Sequence, residues 1–229
     1  MKLKMRSAQA AGLLAATVAM ATFSTLANAQ DEASGFYFGA FGGQASYDAQ
    51  DELDELFLDA FDFAGLDVLD GESDLDEATG FGVVAGYKFN QYFALEASYI
   101  DLGSADYSAE ALVTDGFVTF PMEVGASLEA NGPAVAAVGS IPLSEAFAIY
   151  GKLGMFFADT ELSVSIEGDA VDPFTATSEE VFYGAGIAWM IGERFAIDLA
   201  FQRFTDVGDE DENGEVDIDL TTIGFSYRL

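Results

Sequence analysis

From Gly35 onward, apolar and polar residues alternate with a period of two along most of the chain, and that alternation predicts strands. The last nine residues show it plainly. Thr221, Ile223, Phe225, Tyr227 and Leu229 share one face, and Thr222, Gly224, Ser226 and Arg228 the other. The pattern recurs over Gly35–Tyr47, Thr79–Phe89, Tyr92–Leu102, Ala134–Ile141, Phe147–Ser163, Glu179–Ile191 and Phe195–Phe204, which makes eight strands in all. Each bulky, aromatic face lies opposite small residues and a few charges. Phe81, Val83, Ala85 and Tyr87 oppose Gly80, Gly82, Val84, Gly86 and Lys88; Val181, Tyr183, Ile187 and Trp189 oppose Phe182, Gly184, Gly186 and Ala188. Glycines fit the narrow interior of a small barrel, so the aromatic face looks outward, toward lipid. A soluble up-and-down barrel would turn its apolar face inward instead.

The links between strands sort into two kinds. Asn90-Gln91, Ser144-Glu145 and Gly192-Glu193-Arg194 are tight turns, whereas the other links are long. Short turns on one rim and long loops on the other mark an outer-membrane barrel, with the short turns periplasmic. A sequence that stops within a strand must pair that strand, and the first strand is the partner that closes the ring. The link 104–132 carries Asp115-Gly116 between Ala111–Thr114 and Phe117–Phe120, a two-residue hairpin signal that would extend the sheet; a plain loop is the alternative. Pro142 closes the fourth strand, where the missing amide donor does no harm. The fold class is therefore all-β: an eight-stranded antiparallel up-and-down transmembrane barrel with long acidic extracellular loops and a short helix in the first of them.

Charge and composition set the address. Lys2, Lys4 and Arg6 precede an apolar run from Ala8 to Phe23 and the small-x-small sequence Ala27-Asn28-Ala29, so residues 1–29 read as a cleaved secretory signal and 30–229 as the barrel domain. No later stretch is long and apolar enough for a spanning helix. All 40 acidic residues follow Ala29, against five basic ones, Lys88, Lys152, Arg194, Arg203 and Arg228. Such an excess argues against nucleic acid as a partner, because phosphate backbones require cationic surface. Thirteen acids fall between Asp48 and Glu77 and seven between Asp206 and Asp217. There is no cysteine and no histidine. Disulfides and thiolate metal sites are excluded, as is catalysis by a Ser–His or Asp–His pair. A Ser–Lys pair would need Lys88 or Lys152, neither of which has an evident serine partner, so no enzymatic activity is expected.

Four stretches resemble the OmpA-like transmembrane barrel family. They are Gly86-Tyr87-Lys88-Phe89-Asn90-Gln91-Tyr92-Phe93-Ala94-Leu95-Glu96, running on to Tyr99 and Asp101-Leu102-Gly103; Ile141-Pro142-Leu143; Tyr150-Gly151-Lys152-Leu153-Gly154; and Gly224-Phe225-Ser226-Tyr227-Arg228. The resemblance implies insertion by the outer-membrane assembly machinery, which reads the last strand, and contact with outer-membrane lipid and lipopolysaccharide. It also implies that Glu96, Lys152 and Arg228 join a lumenal ion network, which either fills the lumen or gates a narrow ion path. Leu229 stands where the family usually ends in Phe. No peptidoglycan-binding domain follows, so cell-wall tethering is not expected. A structural, envelope-integrity and surface-interaction role is the leading expectation and a narrow ion-permeable channel the alternative. A monomer is expected, and the sequence names no surface partner.

Two loop patterns remain. Leu53, Leu56, Phe57, Ala60, Phe61 and Ala64 recur at helical spacing, with Asp51, Glu52, Asp54, Glu55, Asp59 and Asp62 mostly on the other face. This helix either caps its own barrel or meets a membrane surface or a partner. Asp209, Asp211, Asn213, Glu215 and Asp217, with Gly214 as a turn glycine, follow the opening of a calcium loop, although Leu220 occupies the position of the bidentate Glu. A solvated acidic turn and a Ca²⁺ site are the two readings; no other cofactor is expected. Divalent cations would also allow the acidic loops to bridge to lipopolysaccharide.

Overall fold

The computed structural model describes residues 34–49, 54, 57–58, 62, 67–114, 118–166, 169–170, 173–209 and 214–229. The leader expected at 1–29 lies outside them. Ten strands form one antiparallel sheet among the described residues: β1 (Gly35–Asp48), β2 (Asp67–Leu75), β3 (Ala78–Lys88), β4 (Phe93–Thr114), β5 (Thr119–Pro142), β6 (Phe147–Ile166), β7 (Asp169–Ala170), β8 (Phe174–Ile191), β9 (Phe195–Asp209) and β10 (Gly214–Arg228). Eight of them make a ring in the order β1, β3, β4, β5, β6, β8, β9, β10. Closure is by β1 against β10, from Tyr37↔Arg228 to Asp48↔Asp217, the pairing expected of the first and last strands. β2 continues the line of β3 along the far half of β4, and the two-residue β7 pairs with the end of β6.

The short rim is built by local hydrogen bonds. Asn90 Oδ1 accepts from the amides of Tyr92 (2.7 Å) and Phe93 (3.0 Å), and Ser144 Oγ from those of Ala146 (3.2 Å) and Phe147 (3.1 Å). Asx- and ST-turns of this kind reverse a chain in very few residues. Gly192, at φ +70°, takes the left-handed conformation that the β8–β9 turn needs.

The opposite rim is taller than the alternation predicted. β4 and β5 run past Leu102 and back from Ala134 to pair Thr114 with Thr119, so the link 104–132 extends the sheet; Asp115 and Gly116 themselves lie outside the described residues. A register shift between Asp101 and Ser104 lets β4 bend there. Pro133 does not end β5, because the β5–β6 ladder passes over Gly132 and Pro133 between Asn131↔Asp159 and Ala134↔Phe156. The stretch Asp169–Pro173, expected as loop, contributes the short strand β7. Between β8 and β9 the ladder stops at Phe182↔Phe204. Above it, Thr205 Oγ1 donates to the Val181 carbonyl (3.1 Å) and the Gly208 amide to Ser178 Oγ (3.2 Å).

In the first long loop, Asp54, Phe57, Leu58 and Asp62 are helical; the rest of the predicted helix lies outside the described residues. Phe57 is buried and stacks on Tyr107, with ring centroids 5.5 Å apart and planes 11° from parallel. Asp54 was expected on the solvent face. It turns toward the wall instead, accepting from Tyr107 Oη at 2.5 Å and from Ser73 Oγ at 3.1 Å. Burial and the adjacent carboxylate both push the Tyr107 phenol up from its ordinary range. Among the described residues, Asp54 and Phe57 thus tie this segment to the barrel wall.

Candidate functional site: a polar lumen under an apolar stack

The outward faces carry Phe38, Leu95, Leu153, Leu199 and Ile223, each more than half exposed (51–64 %), which is how side chains look when lipid is their solvent. The inward faces of the same strands carry Tyr37, Lys88, Glu96, Tyr150, Lys152, Asp198 and Arg228, around a cavity of about 130 Å³. Lys152 Nζ lies 2.6 Å from Glu96 Oε2, while Tyr37 Oη donates to Glu96 Oε1 at 2.6 Å. Tyr150 Oη donates to Asp198 Oδ2 at 2.9 Å. The Lys152 ammonium also sits 5.5 Å from the centre of the Tyr150 ring, and Lys88 5.8 Å from that of Tyr37. Charges in so narrow a space are tolerable because each carboxylate meets a donor and each of these two ammoniums an aromatic face.

Inward glycines make room for these groups. A Cβ at Gly86 would collide with the Tyr37 ring, at Gly186 with Tyr150, at Gly82 with Phe41, at Gly154 with Phe182 and at Gly224 with the Asp198 carboxylate. In all five cases the glycine and the large residue are register partners on adjacent strands. The alternation of glycine with a large side chain across a ladder is what lets eight strands hold an ion network at all.

Above the network the interior changes character. Phe156, Phe182 and Phe204 are 0 %, 2 % and 0 % exposed. Phe204 stacks on Phe182 (5.0 Å, 18°) and meets Phe156 edge-on (5.1 Å, 66°). Ile100, Leu102, Ile218 and Leu220 pack around them, also fully buried. This apolar layer continues upward through Leu128, Val124, Val207 and Val216, and the Phe57 cap joins it.

Of the three predicted network residues, the structure brings Glu96 and Lys152 into direct contact, and Arg228 lines the same cavity from β10. Sequence reasoning placed Tyr37, Tyr150 and Asp198 on or beside the inward faces without giving them roles. A large inward residue whose ladder partner is glycine was the available signal. Of the predicted calcium residues, Asp211 and Asn213 lie outside the described ones. Asp209 pairs through its backbone with Gly214, and Glu215 is exposed. Asp217 accepts from the Asp206 amide at 3.1 Å and has Arg203 Nε 3.9 Å from its Oδ2; the same Nε lies 2.8 Å from Asp219 Oδ1. Asp217 and Asp219 hold the Arg203 guanidinium firmly charged. Among the described residues, no group of three or more acidic side chains is arranged to hold a metal ion.

Comparison with known proteins agrees with this architecture. The OmpA-like transmembrane domain matches residues 31–229. Outer membrane protein A of Shigella dysenteriae is 28 % identical over 219 residues, covering 94 % of this chain and 54 % of the relative. That of Serratia marcescens is 27 % identical, covering 94 % and 55 %. The chain thus spans about half the length of the curated relatives it matches. Among solved structures, Neisserial surface protein A aligns over 87 % of this chain and 100 % of its own at 15 % identity, with a TM-score of 0.47. With its ring of eight strands, aromatic exterior and matched residues 31–229, the chain belongs to the family of OmpA-like transmembrane domains, outer-membrane β-barrels.

Proposed function

We infer that this barrel is a non-enzymatic structural protein of the outer membrane, acting in envelope integrity and presenting a tall acidic wall for surface interaction. One observation carries the reading: Phe156, Phe182 and Phe204 form a fully buried aromatic stack in the interior above the ion network. A dry aromatic layer offers a passing ion no partner, and eight strands leave no room to go around it. The absence of histidine from the sequence supports a non-catalytic role. Export by the 1–29 leader, insertion by the assembly machinery reading β10, and contact with lipopolysaccharide as a monomer belong to the same reading.

Conductance in planar bilayers tests it. The wild type should show no regular steps, whereas a Phe156→Ala/Phe204→Ala variant that still folds should conduct. Steps in the wild type that change with Glu96→Ala would establish the second reading, a narrow channel, which the polar cavity favours. In cells, loss of the protein should release periplasmic enzymes, and re-expression should stop the leak. A Ca²⁺ ion in the 209–217 loop would have to displace Arg203 from Asp217. Calorimetry with Ca²⁺ on the wild type and on Asp209→Ala decides that point, and equal traces remove the idea.

A further inference from the structure

On the lipid-facing side of the barrel, bulky residues are missing over three strands in succession. Gly139 on β5, Gly151 on β6 and Ala185 on β8 are register partners in one row, and all three are exposed on the outward face. The two glycines answer no packing demand. A Cβ at Gly139 would meet nothing within 4 Å, and one at Gly151 only the Gly184 carbonyl, at 3.7 Å. At the inward Gly86, Gly154 and Gly186 a Cβ would collide with a ring. Gly42, also outward, stands singly between Ile223 and Phe81, whose exposed side chains flank it.

The result is an apolar groove of about 640 Å³. Gly151 and Ala185 form its floor, Ile149 and Ile187 one side, and Phe201 its end. Gly139 extends the floor onto β5, and the partners Leu153 and Tyr183 stand on the other side. The groove is inclined. Gly139 is three residues from Pro142, where β5 ends; Gly151 is four from Phe147, where β6 starts; Ala185 is six from Ile191, where β8 ends. Strands in such barrels lean by about 35–45°, so a row across them climbs from strand to strand. One end lies near the short-turn rim, beside Phe93 at the start of β4. The other lies roughly 10 Å further along the strands, at about 3.3 Å per residue.

From this we propose that the groove holds one acyl chain of a periplasmic-leaflet phospholipid, which enters beside Gly139 and stops against Phe201. Inside a bilayer no hydrophobic force drives two apolar surfaces together, so dispersion contacts decide what stays bound. A groove that surrounds a chain on three sides supplies more of them than a convex wall does, and an unfilled groove loses them on every side. Water does not fill it, because its walls offer almost no polar partner. A second copy of the barrel fits less well. Two convex cylinders meet along a line, whereas this groove runs obliquely, and a flexible chain follows it. The proposal rests on the place of the barrel in the outer membrane and is independent of whether the lumen conducts.

The test is native mass spectrometry of the barrel extracted into a maltoside detergent from vesicles of phosphatidylethanolamine and phosphatidylglycerol. The wild type should retain a single phospholipid. Gly139→Leu/Gly151→Leu fills the groove, and retention should fall by about fivefold or more as the chain loses its contacts. Ala40→Leu, outward on β1 at the opposite side of the ring, should leave retention unchanged. Heat-dependent gel mobility reports the folding of each variant separately. If the double variant does not fold, Gly139→Leu alone decides on the same terms, because its side chain enters open space. A wild type that retains no phospholipid, or equal retention after the groove is filled, overturns the proposal. Equal losses in the groove variant and in Ala40→Leu overturn it too, because the lipid would then bind the wall at large. A wild-type dimer that the groove variant breaks would assign the groove to a second copy and overturn it as well.

Discussion

Below the phenylalanine stack the barrel is apolar outside and polar inside; above it the two faces exchange roles. β10 shows the exchange within one strand. Its inward residues run Val216, Ile218, Leu220 and then Thr222, Gly224, Ser226, Arg228, while its outward residues run Asp217, Asp219 and then Thr221, Ile223, Phe225, Tyr227. On β6 the outward set passes from Leu153, Met155 and Phe157 to Asp159 and Glu161, while the inward set passes from Tyr150 and Lys152 to Phe156, Ala158 and Leu162. Strand geometry is the same in both halves. What differs is the solvent outside, lipid below and water above, and the apolar residues follow whichever side has no water. The lower half gains little hydrophobic driving force from burying apolar side chains inside, so it can hold an ion network. The upper half is an ordinary soluble core wrapped by a sheet.

The contrast makes the stack the position of greatest stability cost. Phe204→Ala should destabilise the barrel by about 4 kcal/mol, because a fully buried ring is removed where its neighbours cannot collapse. Urea unfolding of the barrel in lipid vesicles would measure it. A loss below about 1 kcal/mol would mean that the upper interior is not a packed core.

Next in size is the lower interior. Glu96→Leu leaves the Lys152 ammonium in the lumen without its carboxylate, which should cost about 3 kcal/mol. Adding Lys152→Met should restore most of that loss, since replacing both partners removes the stranded charge. If the double variant were as unstable as the single one, the pair would not be coupled as its 2.6 Å separation indicates. Gly186→Ala should cost about 2 kcal/mol by driving a methyl into the Tyr150 ring and against the Leu199 carbonyl, and Tyr150→Ala in the same chain should relieve the part due to the ring. An effect of equal size in the Tyr150→Ala background would place the strain elsewhere.

The exchange of faces also explains what could be read without coordinates. Alternation with a constant phase gave the eight lower segments, their inward and outward faces, the tight turns and closure of β1 on β10. Four strand ends were read where the phase flips: at Phe204, before Thr221, near Leu102 and before Glu179. There the apolar residues change sides while the strand continues, so a rule assuming one buried face stops too soon. Pro121 and Pro133 both lie within β5. The Glu96–Lys152 contact was legible because both residues fall on inward parity in matching motifs. The stack was not, because Phe156 and Phe204 lie on a face that lower down holds glycine and charge. Distinguishing a core phenylalanine from a lipid-facing one requires knowing where the membrane ends, which alternation alone does not encode.

The smallest effect lies on the upper exterior, where acids face one another across the ladder. Glu129 on β5 is the direct partner of Glu161 on β6, and Glu110 on β4 of Glu123 on β5; all four are exposed. Like charges directly opposite on one face are mildly destabilising, and a mixed pair is mildly favourable. Glu161→Lys should therefore raise stability by about 0.5 kcal/mol at low ionic strength. It also places a cation beside Asp159, on the same strand and face two residues away. Because the pair is in water, salt should erase most of the gain once the screening length falls to about 3 Å, near 1 M. The Glu96→Leu loss in the shielded lumen should persist at that salt. The two salt dependences, measured on the same barrel, separate a wall that faces water from a lumen that does not. A Glu161→Lys gain as resistant to salt as the Glu96 loss would mean that the upper exterior is covered in the membrane-bound protein.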